Sequence, residues 1–131
     1  MKKFLTPALI AFTVLSGVLS SQASASHAEY DLVCVHNDTD RTVNFSYLGD
    51  TDDDWTSSSV RPNGVSKIYW STAYSDHYLT LRFDADMSNR TRMVEYTLYP
   101  DAAVDVDCDY YGSDYRFKWR SGNTIDLYDD N

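Results

Sequence analysis

Apolar and polar residues alternate along most of the chain, with the period of two that is typical of half-buried β-strands. No segment keeps the three-to-four spacing of an amphipathic helix. The connections between the alternating segments are rich in Asp, Asn and Gly. The pattern predicts an all-β domain with strands at 30–36, 42–48, 55–60, 65–71, 78–83, 93–99, 103–110, 114–120 and 124–128.

Three hairpins follow from registers that place apolar residues on one face of the sheet. The first pairs Phe83–Val94, Leu81–Tyr96 and Leu79–Leu98 inside, with Arg82–Glu95 outside. The second pairs Phe117–Leu127, Trp119–Ile125 and Lys118–Asp126. The third joins 103–110 to 114–120 and sets an acidic row against a basic one, as Asp109–Arg116, Asp107–Lys118 and Asp105–Arg120. Opposed charges of this kind contribute about 0.2–1 kcal/mol per pair, so the acidic row is interpreted as structural.

Sequential hairpins are typical of a meander, within either a sandwich or a barrel. Strands averaging about six residues are short for a roomy barrel. A single small antiparallel β-sandwich, of the Ig-like or meander type with about eight or nine strands, is therefore favoured. A small closed β-barrel is the alternative.

The first 25 residues have the layout of a secretory signal peptide. Lys2 and Lys3 precede a mostly apolar run at 4–19, and Ala23-Ser24-Ala25 has the small-x-small pattern of a cleavage site. We expect cleavage near Ala25, leaving a mature domain of residues 26–131 that is secreted or periplasmic and has no membrane anchor. In that oxidising compartment Cys34 and Cys108, the two cysteines, are expected to form a disulfide.

The acidic balance limits the partners. Removing Lys2 and Lys3 with the signal peptide changes the formal charge from −9 to −11. Such a charge repels nucleic acid and attracts basic proteins or cations. The sequence therefore predicts no nucleic-acid binding and favours a basic protein partner.

One acidic loop has no matching basic segment. Asp50, Asp52, Asp53 and Asp54 lie within five residues and are followed by Trp55. This loop is the candidate site for a basic partner or, as the alternative, for calcium. Alternation places Trp119 and Trp70 on the core side, and leaves Trp55 and the doublet Tyr110-Tyr111 as the aromatic residues expected at the surface.

No catalytic motif stands out. The sequence contains no Gly-x-Ser-x-Gly elbow, no His-Glu-x-x-His helix, no Walker loop and no Cys/His nucleophile pair. The segment 84–95 carries acids at positions one, three and twelve of a calcium loop, but strands flank it, so it is predicted to be a hairpin tip. We expect a protein that binds rather than catalyses, with no cofactor.

The segment 115–128 resembles the closing hairpin of bacterial periplasmic lysozyme inhibitors of the small disulfide-bearing barrel type. The resemblance implies an acidic, exported inhibitor built on a small barrel. The chain departs from that family at two motifs. Ser121-Gly122 is followed by Asn123-Thr124-Ile125 instead of completing a Ser-Gly-x-x-Tyr segment, and Leu32 stands where a Tyr-x-Cys start has Tyr.

The leading hypothesis is an exported, non-enzymatic interaction module, in its most specific form an inhibitor of a basic extracytoplasmic protein. The first alternative is a calcium-assisted glycan- or surface-binding module that uses the same acidic loop. The second alternative is a structural envelope component without a discrete ligand.

Overall fold

A computed structural model describes residues 27–73 and 78–131 of the chain, so the predicted signal peptide lies outside the described residues. The described part contains strands and no helix, which confirms the all-β prediction. The strands are β1 (Tyr30–Asn37), β2 (Val43–Gly49), β3 (Thr56–Val60), β4 (Val65–Ser71), β5 (Leu79–Asp84), β6 (Met93–Leu98), β7 (Asp101–Ala103), β8 (Ser113–Ser121) and β9 (Thr124–Asp129). No helix long and apolar enough to cross a membrane occurs among these residues.

The strands form two sheets packed as a small β-sandwich, as predicted. One sheet has the order β4-β1-β8-β9, with β7 added beside the start of β1, and the other has the order β3-β2-β5-β6. All pairings are antiparallel except β1 with β8, which run parallel. The described strands do not close into a barrel, so neither the alternative prediction nor the barrel implied by the resemblance is found.

The core lies between the two sheets and is built from the inward residues of each strand. Aromatic rings meet across the interface, where Phe83 packs edge-on to Phe117 with ring centroids 4.9 Å apart and Phe45 lies 6.0 Å from Phe117. Such aromatic pairs contribute about 0.5–1.5 kcal/mol beyond the area they bury. Trp70 packs against this core from its margin, as predicted.

Two of the three predicted hairpins are confirmed with their registers. Phe83 lies opposite Val94 and Arg82 opposite Glu95 in β5–β6, and Phe117 lies opposite Leu127 in β8–β9. The segment 84–95 is the tip of the β5–β6 hairpin, as predicted. The β8–β9 register shifts between Trp119 and Ser121, which shortens the predicted turn.

The third predicted hairpin is wrong. Residues 104–112 form bends and turns instead of a strand, and β8 pairs with β9 and, in parallel, with β1. Asp105, Asp107 and Asp109 therefore do not face the basic row of β8. Arg116 contacts Asp38 and Asp130 instead, and Arg120 contacts Asp126.

Trp119 is a second correction. Alternation along β8 predicts a core position, but its side chain is 36% exposed. Its indole N–H donates a hydrogen bond of 3.2 Å to Asp40 in the β1–β2 loop. A tryptophan satisfies its polar N–H at the surface more readily than inside an apolar core, and this bond supplies the partner.

The predicted disulfide between Cys34 and Cys108 is confirmed. The two Cα atoms are 5.9 Å apart, in the usual range for this bond. Cys34 is fully buried on the central strand β1, whereas Cys108 lies in the segment that connects β7 to β8. The bond therefore fixes an otherwise irregular segment to the most central strand of its sheet.

An acidic, tyrosine-rich end of the sandwich

The strand directions bring one group of loops to the same end of the sandwich. At this end β1, β3, β5 and β8 begin and β2, β4, β6 and β9 end. Contacts between the two sheets confirm the alignment, since the Ser113 hydroxyl donates to the Tyr99 carbonyl at 2.5 Å. The Tyr99 backbone N–H also donates to the Tyr115 hydroxyl across the two sheets at 3.0 Å. We call this end, made of residues 27–31, 49–55, 71–73, 78, 99–114 and 129–131, the acidic pole.

The acidic pole contains carboxylates and no Lys or Arg. Its acidic residues are Glu29, Asp31, Asp50, Asp52, Asp53, Asp54, Asp101, Asp105, Asp107, Asp109, Asp114, Asp129 and Asp130. They include the predicted candidate loop and the acidic row of Asp105, Asp107 and Asp109. The topology thus unites two acidic segments that are about 50 residues apart in the chain.

Most basic residues of the described ranges lie toward the opposite end, whereas Lys67, Arg82 and Arg116 lie within β4, β5 and β8. Arg41, Arg61, Arg90, Arg92, Lys118 and Arg120 are in the loops and strand ends of the opposite end, together with Asp38, Asp40, Asp84, Asp86 and Asp126. The charges of that end nearly cancel, so the molecule is strongly dipolar. Two basic residues of strand interiors reach the pole: Arg116 of β8, whose Nε atom lies 2.6 Å from the Asp130 carboxylate, and Arg82 of β5, whose guanidinium lies 3.8 Å from the ring centroid of Trp55. This hydrogen bond lowers the pKa of Asp130 and raises the pKa of Arg116.

Tyrosine side chains, most of them exposed, lie among these carboxylates or next to them. They form three pairs of neighbouring rings: Tyr30 with Tyr69 at 5.8 Å, Tyr78 with Tyr99 at 6.3 Å, and Tyr110 with Tyr111 at 6.5 Å between centroids. Tyr110 is 80% exposed and Tyr99 is 61% exposed. Tyrosine is enriched in protein interfaces because its ring buries a large area and its hydroxyl keeps a hydrogen bond.

The segment 104–111 projects the most exposed of these tyrosines. Its turn is closed by hydrogen bonds from the N–H groups of Tyr110 and Tyr111 to the Asp107 carbonyl, at 3.2 and 2.9 Å. The Asp107 side chain also accepts from the N–H of Asp109 at 2.9 Å. Within the described ranges, no ion pair includes a carboxylate of residues 105–109. The turn, the disulfide and Gly112 restrict the backbone of this acidic and aromatic segment.

The candidate loop predicted from the sequence, residues 50–54, also lies at the acidic pole. Part of it forms hydrogen bonds within its own turn. Asp52 accepts a hydrogen bond from the N–H of Gly49 at 3.2 Å, and its own N–H donates to the Gly49 carbonyl at 3.1 Å. Asp53 and Asp54 are exposed, while Asp50 is half-buried. The loop therefore presents exposed carboxylates at Asp52, Asp53 and Asp54.

Trp55 was expected at the surface and is half-buried. The Arg82 guanidinium lies 3.8 Å from the centroid of its ring. Arg82 therefore stacks on Trp55, although Glu95 is opposite it in register. One face of the indole is covered by this cation–π contact, which leaves it poorly placed as a stacking platform for a sugar.

The described residues contain no group of three or more His, Cys, Asp or Glu side chains arranged to hold a metal ion. The acids of the pole are spread over separate loops instead of converging on one point. Calcium binds roughly six to eight oxygen ligands at about 2.3–2.6 Å, so these oxygen atoms must converge on one point. The geometry thus favours recognition by a surface over chelation.

No family model, no curated protein and no solved structure matches the chain.

Proposed function

We propose that the protein is an exported, non-enzymatic interaction module that binds a basic protein through the acidic pole. The observation that carries the proposal is the separation of charge: the pole combines its carboxylates with exposed tyrosines and contains no Lys or Arg. Inhibition of a basic extracytoplasmic hydrolase is the specific form of binding that we propose.

Long-range attraction is the first contribution of the pole. Negative charge concentrated on one side steers a cationic partner into the correct orientation and raises the association rate. At about 0.1 M salt the screening length falls to about 10 Å, so added salt slows association. Asp53, Asp54 and Asp109 are exposed at the surface and contribute to this field.

The tyrosines supply the short-range part of the interaction. Exposed charges alone give fast but weak association, whereas buried aromatic anchors provide most of the energy of typical interfaces. The disulfide at Cys108 and the turn restrict the backbone that carries Tyr110 and Tyr111, which supports this role. Preorganisation lowers the entropy cost of binding.

The test is binding of the oxidised mature domain to a panel of purified basic hydrolases, including a lysozyme and a ribonuclease, with an acidic protein of similar size as the control. We expect binding to one or more basic proteins at 20 mM salt, weakened at 300 mM, and no binding to the acidic control. Tyr110→Ala with Tyr111→Ala should accelerate dissociation, and Asp52, Asp53 and Asp54→Asn should slow association. Failure of every basic protein to bind at low salt would overturn the proposal.

A further inference from the structure

A pocket of about 220 Å³ opens between β6 and β9, the outermost strands of the two sheets on one side of the sandwich. It is lined by Tyr96, Thr97, Leu98, Tyr115, Leu127 and Asp129. The volume is below the roughly 300–1,000 Å³ of small-molecule sites. The size therefore suits one long side chain of a protein partner.

The two outermost strands are joined at the end of the molecule opposite the acidic pole. The N–H of Ile125 donates to the Ala85 carbonyl at 2.9 Å, and the N–H of Met87 donates to the Asn123 carbonyl at 2.8 Å. Farther along, the Tyr96 hydroxyl of β6 donates to the Asp126 carboxylate of β9. The pocket lies on the pole side of this contact, because its lining residues Thr97, Leu98 and Asp129 follow Tyr96 and Asp126 toward the pole.

The floor of the pocket is apolar. Tyr115 and Leu127 are 6% and 8% exposed, and Leu98 is 1% exposed. The aromatic ring and the aliphatic side chains form a surface on which the methylene stem of a lysine or arginine can pack while its charged head stays near water.

Asp129, whose side chain is exposed, places a carboxylate at the rim of this apolar pocket. Alternation along β9 puts it on the same side as Ile125 and Leu127, and it lies opposite Tyr115 in register. Asn131 donates to its Oδ1 atom from the backbone N–H at 3.0 Å and from Nδ2 at 2.6 Å. Within the described residues, its Oδ2 atom has no hydrogen-bond or ion-pair partner.

The negative charge reaches the inside of the pocket. The pKa of the Tyr115 hydroxyl is raised, mainly because the group is buried and further because the Asp129 and Asp101 carboxylates act on it. The carboxylates attract a cation beside Asp129 and repel an anion.

We infer that the pocket receives one Arg or Lys side chain of the basic partner, with the stem on Tyr115 and Leu127 and the cationic head on Asp129. This inference rests on the proposed function, because it names the anchor through which the acidic pole holds its partner. A charged head that donates hydrogen bonds to a carboxylate forms the stronger, charge-assisted type of bond. An anchor seated in a desolvated pocket is typical of interface hot spots.

The experiment is an NMR titration of the ¹⁵N-labelled oxidised mature domain with Nα-acetyl-arginine methylamide, using the citrulline analogue as a neutral control of the same shape. We expect millimolar binding, with shifts concentrated at the amides of Thr97, Leu98 and Asp129 and at least about ten-fold weaker binding of the citrulline compound. Asp129→Asn should abolish the preference for arginine. Thr97→Trp should block the pocket while leaving every charge in place.

The outcomes separate this inference from the proposed function. If the arginine compound shifts amide signals throughout the loops of the pole, and these shifts persist in Asp129→Asn and Thr97→Trp, the pocket inference is wrong. The hydrolase panel then still tests the proposed function. If Asp129→Leu causes self-association and Asp129→Asn leaves arginine binding unchanged, the carboxylate protects a sheet edge and the pocket inference is wrong. If the panel shows no binding and arginine also fails to bind, both are wrong.

Discussion

Gly112 lies directly against Cys34, the residue that anchors the disulfide in the central strand. A Cβ atom added to Gly112 would stand 2.7 Å from Cys34 Sγ and 2.8 Å from Leu32 Cγ. The residue also has a φ of +89°, in the region that favours glycine. Only a glycine lets the chain leave the disulfide-bound segment and enter β8 at this distance.

Gly112→Ala is therefore expected to reduce the free energy of unfolding by about 2–4 kcal/mol, from backbone strain together with overpacking. The matched control is Gly122→Ala. Gly122 has a φ of +53° but nothing within 4 Å of its added Cβ, so only the strain of about 1 kcal/mol applies. Urea unfolding of the two oxidised variants measures the difference. Equal losses would show that the contact with Cys34 is unimportant.

The buried side chain of Asn37 predicts a second large effect. Its Nδ2 atom donates to the carbonyls of Arg41 and Val60 at 2.7 and 2.9 Å, and its Oδ1 atom accepts from the N–H of Thr39 at 2.9 Å. Asn37→Ala leaves these buried groups without partners and should cost about 2–4 kcal/mol. The control Asn44→Ala, at an exposed position, should stay within about 0.5 kcal/mol. Thermal or urea unfolding that ranks the two variants equally would contradict the assignment.

The contact between Tyr96 and Asp126 predicts loss of stability at alkaline pH. The pKa of the Tyr96 hydroxyl is raised from its ordinary value of 10.0, mainly by the hydrogen bond to Asp126. Because the folded-state pKa is raised, this contribution is complete below the unfolded value and is lost as the pH rises through the folded-state value. Tyr96→Phe should therefore lose less stability than the wild type between pH 9 and pH 11, as followed by melting temperature. If the melting temperatures of both proteins fall equally over this pH range, Tyr96 is not the cause of the alkaline loss of stability.

Calcium is expected to act only as a salt. Since the described acids do not converge on one point, CaCl₂ should raise the melting temperature no more than NaCl of equal ionic strength, and EDTA should have no effect. The measurement is a melt of the oxidised mature domain in each condition. A rise of several degrees that is specific to calcium and reversed by EDTA would restore the calcium-assisted module as the better interpretation.

The sequence predicts the local parts of the fold well. The β5–β6 and β8–β9 registers depend on residues close in the chain, whose alternation fixes which face is buried. The same reasoning fails for Asp105, Asp107 and Asp109. Their spacing in the sequence matches the basic row of β8, but their segment forms turns and does not pair with that strand. The parallel pairing of β1 with β8 joins segments far apart in the chain, and no local signal reveals it.

The acidic pole is visible from the sequence only in pieces. The sequence indicates both the loop with Asp53 and Asp54 and the exposed doublet Tyr110-Tyr111. Their position at the same end of the sandwich depends on the directions of the strands. Alternation after Ile125 and Leu127 indicates that Asp129 shares their side of β9, where its exposed side chain borders the pocket. Only the structure shows that Asp129 borders a pocket, which opens between β6 and β9.

The central claim is that the position of the negative charge, and not its amount, determines recognition. Two variants that each remove three charges separate these possibilities: Asp105, Asp107 and Asp109→Asn at the pole, and Asp84→Asn, Asp86→Asn and Glu95→Gln away from it. Asparagine keeps the side-chain oxygens that cap the N–H groups of both segments.

The measurement is the association rate constant of each variant with the basic protein of the panel that binds the wild type, by stopped flow at 20 mM salt. The account predicts a rate about ten-fold lower for the pole variant and a change below about two-fold for the control. Equal rates for the two variants would contradict it.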